Sequence, residues 1–411
     1  MLKSIIRKEI LNNLLSYKFS IITILSTILI LVSIFVMCGD YRLALENYQI
    51  QQPNSESGKN FIIIPPTPLS IFARGLEENL CRSYVGDENV GSKQKSLNDL
   101  FRLFTAPDLL YIIKVILSLC AMLFAFDMVS GEKEIGTLRQ SLSNNVKRPI
   151  LIFGKWIGGF TSFILPFLIA VLLGTIFVTL SPMVDMNTNN FLRLGLFLLS
   201  SVIYLAVFFS LGLLISCLTH RSSTSLIISL FIWTILVFLI PNLGNILARQ
   251  LVQIPTVQQL ELKRWQSGYK IRFERDKRED SKGDNSKRQE ILRRIERIEL
   301  EREKLTEDYR NRLNSLIKAS KNISRISPTA AFTLLSTDIM GTGISEERKL
   351  KSTGIQYYSL SWNDRPVFNY RRSSIKEALG QGGLSNCLIL ILFNILFFTG
   401  AHVAFLRYDV R

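Results

Sequence analysis

The chain has 411 residues, 48% of them hydrophobic, and a formal charge of +16, with a mean hydropathy of +0.25 and a pI near 9.7. That apolar share exceeds what a soluble domain with a charged surface carries, so a membrane protein is indicated. The charge does not point to nucleic acid: residues 247–385 hold 28 Lys and Arg against 18 Asp and Glu, or +10 of the +16, and the topology read below puts them across the membrane from cytoplasmic DNA or RNA.

Residues 1–18 place Leu2, Ile5, Ile6, Ile10 and Leu14 at helical spacing, with Lys3, Arg7 and Lys8 largely on the other face. This is the pattern of an amphipathic helix on the inner leaflet; an undocked start to the first span fits equally. Residues 19–38 then form an uncharged run of the ~20 residues a helix needs to cross a ~30 Å hydrocarbon core. The run is too long for a signal-peptide core and no small-x-small cleavage site follows Cys38, so it reads as a permanent anchor. Further apolar runs at 107–128, 150–180, 193–217, 224–246 and 386–406 bring the expected spans to six.

Lys and Arg in short loops mark the cytoplasmic side. Lys3, Arg7, Lys8 and Lys18, then Lys133, Arg139, Lys147 and Arg148, then Arg221, then Arg407 and Arg411 all fall on one side of a six-span chain. The opposite short loop, SPMVDMNTNN at 181–190, has one Asp and no positive residue. Both termini and the segment 128–149 are therefore expected in the cytoplasm, with residues 39–106 and 247–385 outside. Of the five cysteines, Cys38, Cys81 and Cys387 lie on or near the outer side, where a bridge is conceivable, but their spacing resembles no disulfide framework.

In the long insert, Ile291, Ile298 and Leu305 recur every seven residues, with Ile295, Tyr309 and Leu316 on the same seam. The pattern predicts a helical hairpin over 258–321, broken at SKGDN (281–285) and standing away from the membrane; Arg302 and Arg312 interrupt the seam, and a merely solvated charged helix remains an alternative. Residues 326–343 (ISPTAAFTLLSTDIMGTG) read as a segment returning to pack on the outer membrane surface, and 346–385 as a small irregular lobe ending in flexible glycines.

The chemistry-bearing candidate is SGEKEIGTLRQSLSNNVKRP, residues 130–149. Gly131 and Gly136 have the spacing of a phosphate-binding loop, but Thr137 and Leu138 stand where its Lys and Ser/Thr belong, and an apolar run replaces the preceding strand. Nucleotide binding by this chain is not expected. His220 and His402 show no carboxylate or thiol partner in sequence, and zinc spacings, GxSxG and HExxH are absent. The chain does not read as an enzyme. Among possible intramembrane polar residues, Lys114 lies about 10 Å below the outer end of its span by helix rise, and Asp127 sits at the inner end. Neither belongs to the relay of acids and histidines that a proton-driven pump needs.

This layout resembles the type-2 ABC transporter permeases, in a subgroup with a large outer insert between spans five and six. Glu134, Gly136, Thr137 and Leu138 match the E-x-G-T-L of that family; Ser143, Asn144, Asn145 and Val146 replace its Ser-x-Pro-Val turn without the proline; Lys147, Arg148, Gly154 and Lys155 continue the pattern, and ISPTAAF and the closing FLRYDVR agree with the subgroup. The resemblance implies an all-α integral membrane protein with six transmembrane helices (five within 19–246, the sixth in 386–411), an extracytoplasmic helical hairpin and a small irregular lobe. It further implies that 128–149 forms short helices held in a cleft of a separate cytoplasmic ATPase, with Glu132, Lys133, Glu134, Ile135, Gly136, Thr137, Leu138 and Arg139 at the contact. In that reading Gly131 and Gly136 let the chain enter sharply, the three charges offer surface pairs, and Ile135 with Leu138 makes an apolar anchor. ATP and Mg would be bound by the ATPase, with none in this chain. Two permease copies, identical or sister, would work with two ATPases, exporting or extracting a substrate, or driving an extracytoplasmic protein partner through the hairpin. A membrane-anchored scaffold or sensor without transport is the competing class.

Overall fold

A backbone in lipid must satisfy its own hydrogen bonds, so long apolar runs there fold as helices. The computed structural model describes residues 2–56, 61–62, 64–81, 84–85, 107–143, 147–280, 285–359, 368 and 370–407. Among these, six helices are long and apolar enough to cross a membrane: span 1 (Tyr17–Ile50), span 2 (Leu109–Ile135), span 3 (Arg148–Thr179), span 4 (Thr188–Leu218), span 5 (Ser222–Leu251) and span 6 (Ile375–Leu406). Asn144 to Val146, the break at 281–284, residues 86–106 of the outer loop, 360–367 of the expected lobe and the last four residues lie outside the described residues.

The described chain divides into two compact units, Met1–Val237 with Ser327–Arg411, and Phe238–Ile326. In the first, helix α1 (Leu2–Leu14) is set off from span 1 at Ser16, whose Oγ accepts from the Phe19 N–H at 3.2 Å, an N-cap that starts a new helix. Two short helices, α2 (Ser130–Ile135) and α3 (Thr137–Ser143), end span 2 and follow it. Span 4 is the most enclosed of the six, with Phe197, Tyr204, Phe208 and Phe209 fully buried along it.

The second unit is built from α4 (Ile240–Leu251), the end of span 5, with α5 (Val257–Asp280) and α6 (Asn285–Ser324). Arg264 donates to Thr306 Oγ1 at 3.1 Å and Arg275 pairs with Glu299 at 3.5 Å, so partners fall in number on α6 as they rise on α5: an antiparallel hairpin. Leu260, Ile271 and Ile295 are buried in its seam, Ile291, Ile298, Leu305, Tyr309 and Leu316 are half-buried, and Arg302 and Arg312 are exposed, as the heptad reading requires. The end of α6 packs on α4 so closely that a Cβ at Gly244 would lie 2.0 Å from Ser324 Oγ.

Three expectations change. Residues 326–343 do not lie on the membrane surface: α7 (Pro328–Met340) has eleven of its 13 residues buried and packs against spans 4 and 6. Its 13 residues are too few to cross, but most of its hydroxyls find partners within the unit, with the Ser336 Oγ buried without a hydrogen-bond partner. Thr333 and Thr337 each donate to the carbonyl four residues back at 2.8 Å, Ser327 Oγ donates to Leu236 O, and Phe332 stacks on Tyr204 at 4.3 Å. The expected irregular lobe begins instead with a 16-residue helix, α8 (Ile344–Ser359), whose Leu350 packs with Ile64 and Leu80 in a small second core. The glycines before span 6 are not a loose tether: Ser374 and Glu377 form a capping box that starts the helix at Ile375, and a π-helical turn at Leu379–Gly383, with Gly382 at φ 123°, carries it into the span. Outside the helices, Phe61–Ile62 and Tyr84–Val85 form a two-residue antiparallel ladder.

The end of this unit away from α1 is fastened by a knot of buried charge. Arg372 grips Glu77 with both arms at 2.8 and 2.7 Å and donates to Gly341 O at 2.8 Å and Pro65 O at 3.1 Å. Glu346 accepts from Tyr370 Oη at 2.6 Å and from the Ser373 N–H at 3.1 Å. Arg193 of span 4 donates to Ile339 O at 2.9 Å and to Ser373 O. The five cysteines are free thiols.

Candidate functional site

The segment after span 2 is built on a break in that helix. Residues 126–129 form turns, and the polar groups released there are taken up by neighbours. Ser216 Oγ of span 4 accepts from the Val129 and Ser130 N–H groups, both at 3.0 Å, and Ser225 Oγ of span 5 donates to Phe126 O at 2.6 Å. The first free N–H groups of α2 are thus seated on span 4, where water would otherwise have to serve them. At its other end α2 stops at Gly136, whose φ of 84° is left-handed and reverses the chain into α3. Gly131 lies within α2, so only the second glycine of the motif makes a turn.

The three charged residues of the segment are engaged by neighbouring helices rather than forming surface pairs, Glu132 and Lys133 half-buried and Glu134 exposed. Glu132 Oε1 meets Lys155 Nζ at 2.7 Å, and the same ammonium meets Glu9 Oε1 of α1 at 2.9 Å and donates to Met128 O at 3.3 Å. Lys155 is only 2% exposed. It reaches Glu9 because span 3 presents no side chains where α1 lies against it: a Cβ at Gly154 would fall 2.7 Å from Ile5 Cγ2, and one at Gly158 would fall 2.7 Å from Glu9 Cβ. A buried ammonium is tolerated only when paired and hydrogen-bonded. Two carboxylates do this here, and the second oxygen of Glu132 is buried without a hydrogen-bond partner. Lys133 donates to Cys217 O and Thr219 O, among the orphan carbonyls ending span 4. Glu134 Oε2 accepts from the Ser222 N–H at 3.0 Å, at the N-terminus of span 5.

What the segment leaves outward is short. Ile135 is 78% exposed, followed by exposed Gly136, Thr137 and Arg139; Leu138 is fully buried and anchors α3 to its own chain. The expected apolar pair of Ile135 and Leu138 is therefore split between the outside and the core. Asp127 pairs with Lys18 at the start of span 1 and so joins the same end of the bundle. Lys114 does not: its ammonium lies 5.4 Å from the Tyr111 ring centre, in a π-helical turn over Ile112–Leu117 whose Lys114 carbonyl accepts from Tyr204 Oη at 2.8 Å.

Lys155 was visible in sequence only as one more basic residue after the segment. The usable signal was its setting, a lysine inside an apolar helix flanked by Gly154 and Gly158, together with Glu9 among the isoleucines of α1.

The six long apolar helices mark a multi-pass membrane protein. Among known families, residues 4–410 match the ABC-2 family transporter proteins, and the chain belongs to that family. It is thus a permease subunit of the ABC transporter class, a membrane transport subunit working in a setting that implies ATPase partners. A comparison with curated proteins finds no match.

Proposed function

We propose that this permease couples ATP hydrolysis by a separate ATPase subunit to export or extraction of a substrate across the cytoplasmic membrane, with both termini and α2–α3 in the cytoplasm. The observation that carries the reading is the division of labour in α2–α3. Its inner side is fastened to α1 and spans 3, 4 and 5 through Glu132, Lys133 and Glu134, while Ile135, Gly136, Thr137 and Arg139 remain outward. A push on that tip is delivered to four elements at once. ATP and Mg belong to the ATPase in this reading, and a twofold arrangement of two permeases, identical or sister, and two ATPases is the default.

The test is co-purification with an ATPase encoded beside the gene. Ile135→Asp, at an exposed position, should abolish ATPase binding and ATP-dependent transport while leaving the melting temperature of the permease unchanged. Survival of both binding and transport would sink the assignment.

A second use of the same motion is relay to an extracytoplasmic protein through α5–α6. It is favoured by a row of exposed apolar side chains along α5, Leu262, Trp265, Tyr269 and Phe273, on the face away from the Leu260–Ile271 seam. Removal of residues 258–321 should spare ATPase docking and membrane insertion and eliminate the outer function; loss of docking would contradict the sidedness.

A further inference from the structure

The seam of the α5–α6 hairpin changes character at its base. Ile291, Ile298 and Leu305 recur every seven residues on α6, and the next step of seven lands on Arg312, where the seam calls for an apolar residue. Tyr309, between them, brings a hydroxyl to the same level. Here the two helices part around a cavity of about 220 Å³. Pro255, Leu260 and Leu305 give it an apolar lining, Lys263, Tyr309 and Arg312 place polar ends around it, and Asp308 is the one acid among the described residues that line it.

The walls are held by hydrogen bonds of their own. Thr256 and Gln259 exchange side-chain to backbone bonds at 3.1 and 3.3 Å, a capping box that sets the start of α5 beside Pro255. The bond from Arg264 to Thr306 ties the helices together one residue beyond Lys263 and Leu305. Charge around the cavity is not balanced. Asp308 is matched by Arg312 at 3.3 Å, a pair with side chains 68% and 53% exposed, and such a pair contributes little and leaves most of the guanidinium donors uncommitted. Among the described residues, the Lys263 ammonium and the Tyr309 hydroxyl have no hydrogen-bond partner.

Two cations and a phenol around an apolar lining complement a ligand with two matching halves, a carboxylate and one compact apolar group. An apolar cavity of about 150 Å³ accepts benzene, so this one has room for a group of that size with a carboxylate beside it. We propose that the base of the hairpin binds such an apolar carboxylate, free or at the end of a peptide, its oxygens on Lys263, Arg312 and Tyr309 Oη and its apolar group against Leu260 and Leu305. A charged residue at a seam position weakens a coiled coil; the ligand gives Arg312 its use there. The binding stands independently of the coupling role and the sidedness proposed above.

Isothermal titration calorimetry of the purified full-length permease, with no ATPase present, tests this. N-acetylleucine should bind at least about tenfold more tightly than N-acetylleucinamide, which has the same apolar group without the charge, or acetate, which has the charge without the apolar group. Lys263→Gln and Arg312→Gln, both at exposed positions, should each weaken N-acetylleucine by about tenfold, as expected for losing a hydrogen bond between charged groups, with the melting temperature unchanged. Tyr309→Phe, which keeps the shape of the wall, should cost about threefold. Absence of saturable heat with N-acetylleucine, equal binding of acid and amide, or an affinity unmoved in both glutamine variants would overturn the proposal. A hexapeptide ending in leucine separates the two sources: binding as tight as that of N-acetylleucine assigns the cavity to chain ends, weaker binding assigns it to small free acids, and either result supports the carboxylate chemistry.

Discussion

The two ends of the helical unit are both fastened by buried ions, but in different ways. At the end away from α1, every carboxylate oxygen in the knot is engaged. Glu77 meets Arg372 through both oxygens, and Glu346 accepts from Tyr370 and from the Ser373 N–H with both of its own. At the α1 end, one ammonium serves two carboxylates and a buried Glu132 oxygen has no partner. A saturated network has one arrangement and rigidifies what it joins. A network with more acceptors than donors can trade partners when pushed, and it is this one that contacts the outward tip of α2–α3.

The sharpest break of the comparison is Arg372→Ala. It leaves Glu77, 6% exposed, as an uncompensated buried charge, and should cost about 3–5 kcal/mol, seen as collapse of the melting transition in detergent. Arg372→Lys should recover little, because a single ammonium cannot replace the two-armed grip. A variant melting within a degree or two of wild type would mean that the knot is not what closes this end.

Lys155→Met tests the other end and should cost less, roughly 1–3 kcal/mol, because the Glu132 and Glu9 side chains, 27% and 13% exposed, can recover part of their hydration. The companion measurement separates the ends more cleanly. Glu132→Gln removes the surplus charge and should leave the melting temperature level or higher, while Glu77→Gln should lower it. If the two glutamines lower it equally, the α1 end is held in a single arrangement just as the knot is.

The same contrast sets what could be read in advance. Spans were legible because an uncharged run of ~20 residues has few other fates, and the hairpin because its heptads repeat. The outward tip was legible from Gly136 and its charged neighbours. The partners of Glu132, Lys133 and Glu134 were not, because each lies far off in sequence: Lys155 and Glu9, the carbonyls after Ser216, the N–H of Ser222. Helix α7 was misjudged because a short, small, apolar and Gly-containing segment was read as packing on the outer surface, whereas it is buried against spans 4 and 6, with Thr333 and Thr337 bonding back to their own helix.

The smallest effect expected is a pH dependence confined to the knot. Burial and the Glu77 carboxylate push the Cys81 thiol well above its ordinary value of 9.0, and burial with the hydrogen bond to Glu346 pushes the Tyr370 phenol above 10.0. Both groups are therefore held protonated in the folded protein under conditions where the unfolded chain would release the proton. Their contribution is fully present below the unfolded values and falls as pH rises past about 9 for the thiol and about 10 for the phenol. Melting temperature should thus be flat in this respect from pH 7 to 8.5 and then decline, by roughly 1 kcal/mol per pH unit from Cys81. Cys81→Ser should delay the onset of the decline toward pH 10, where only Tyr370 remains to titrate. An onset unmoved by that change would assign the alkaline loss to other groups and leave the thiol a bystander in the knot.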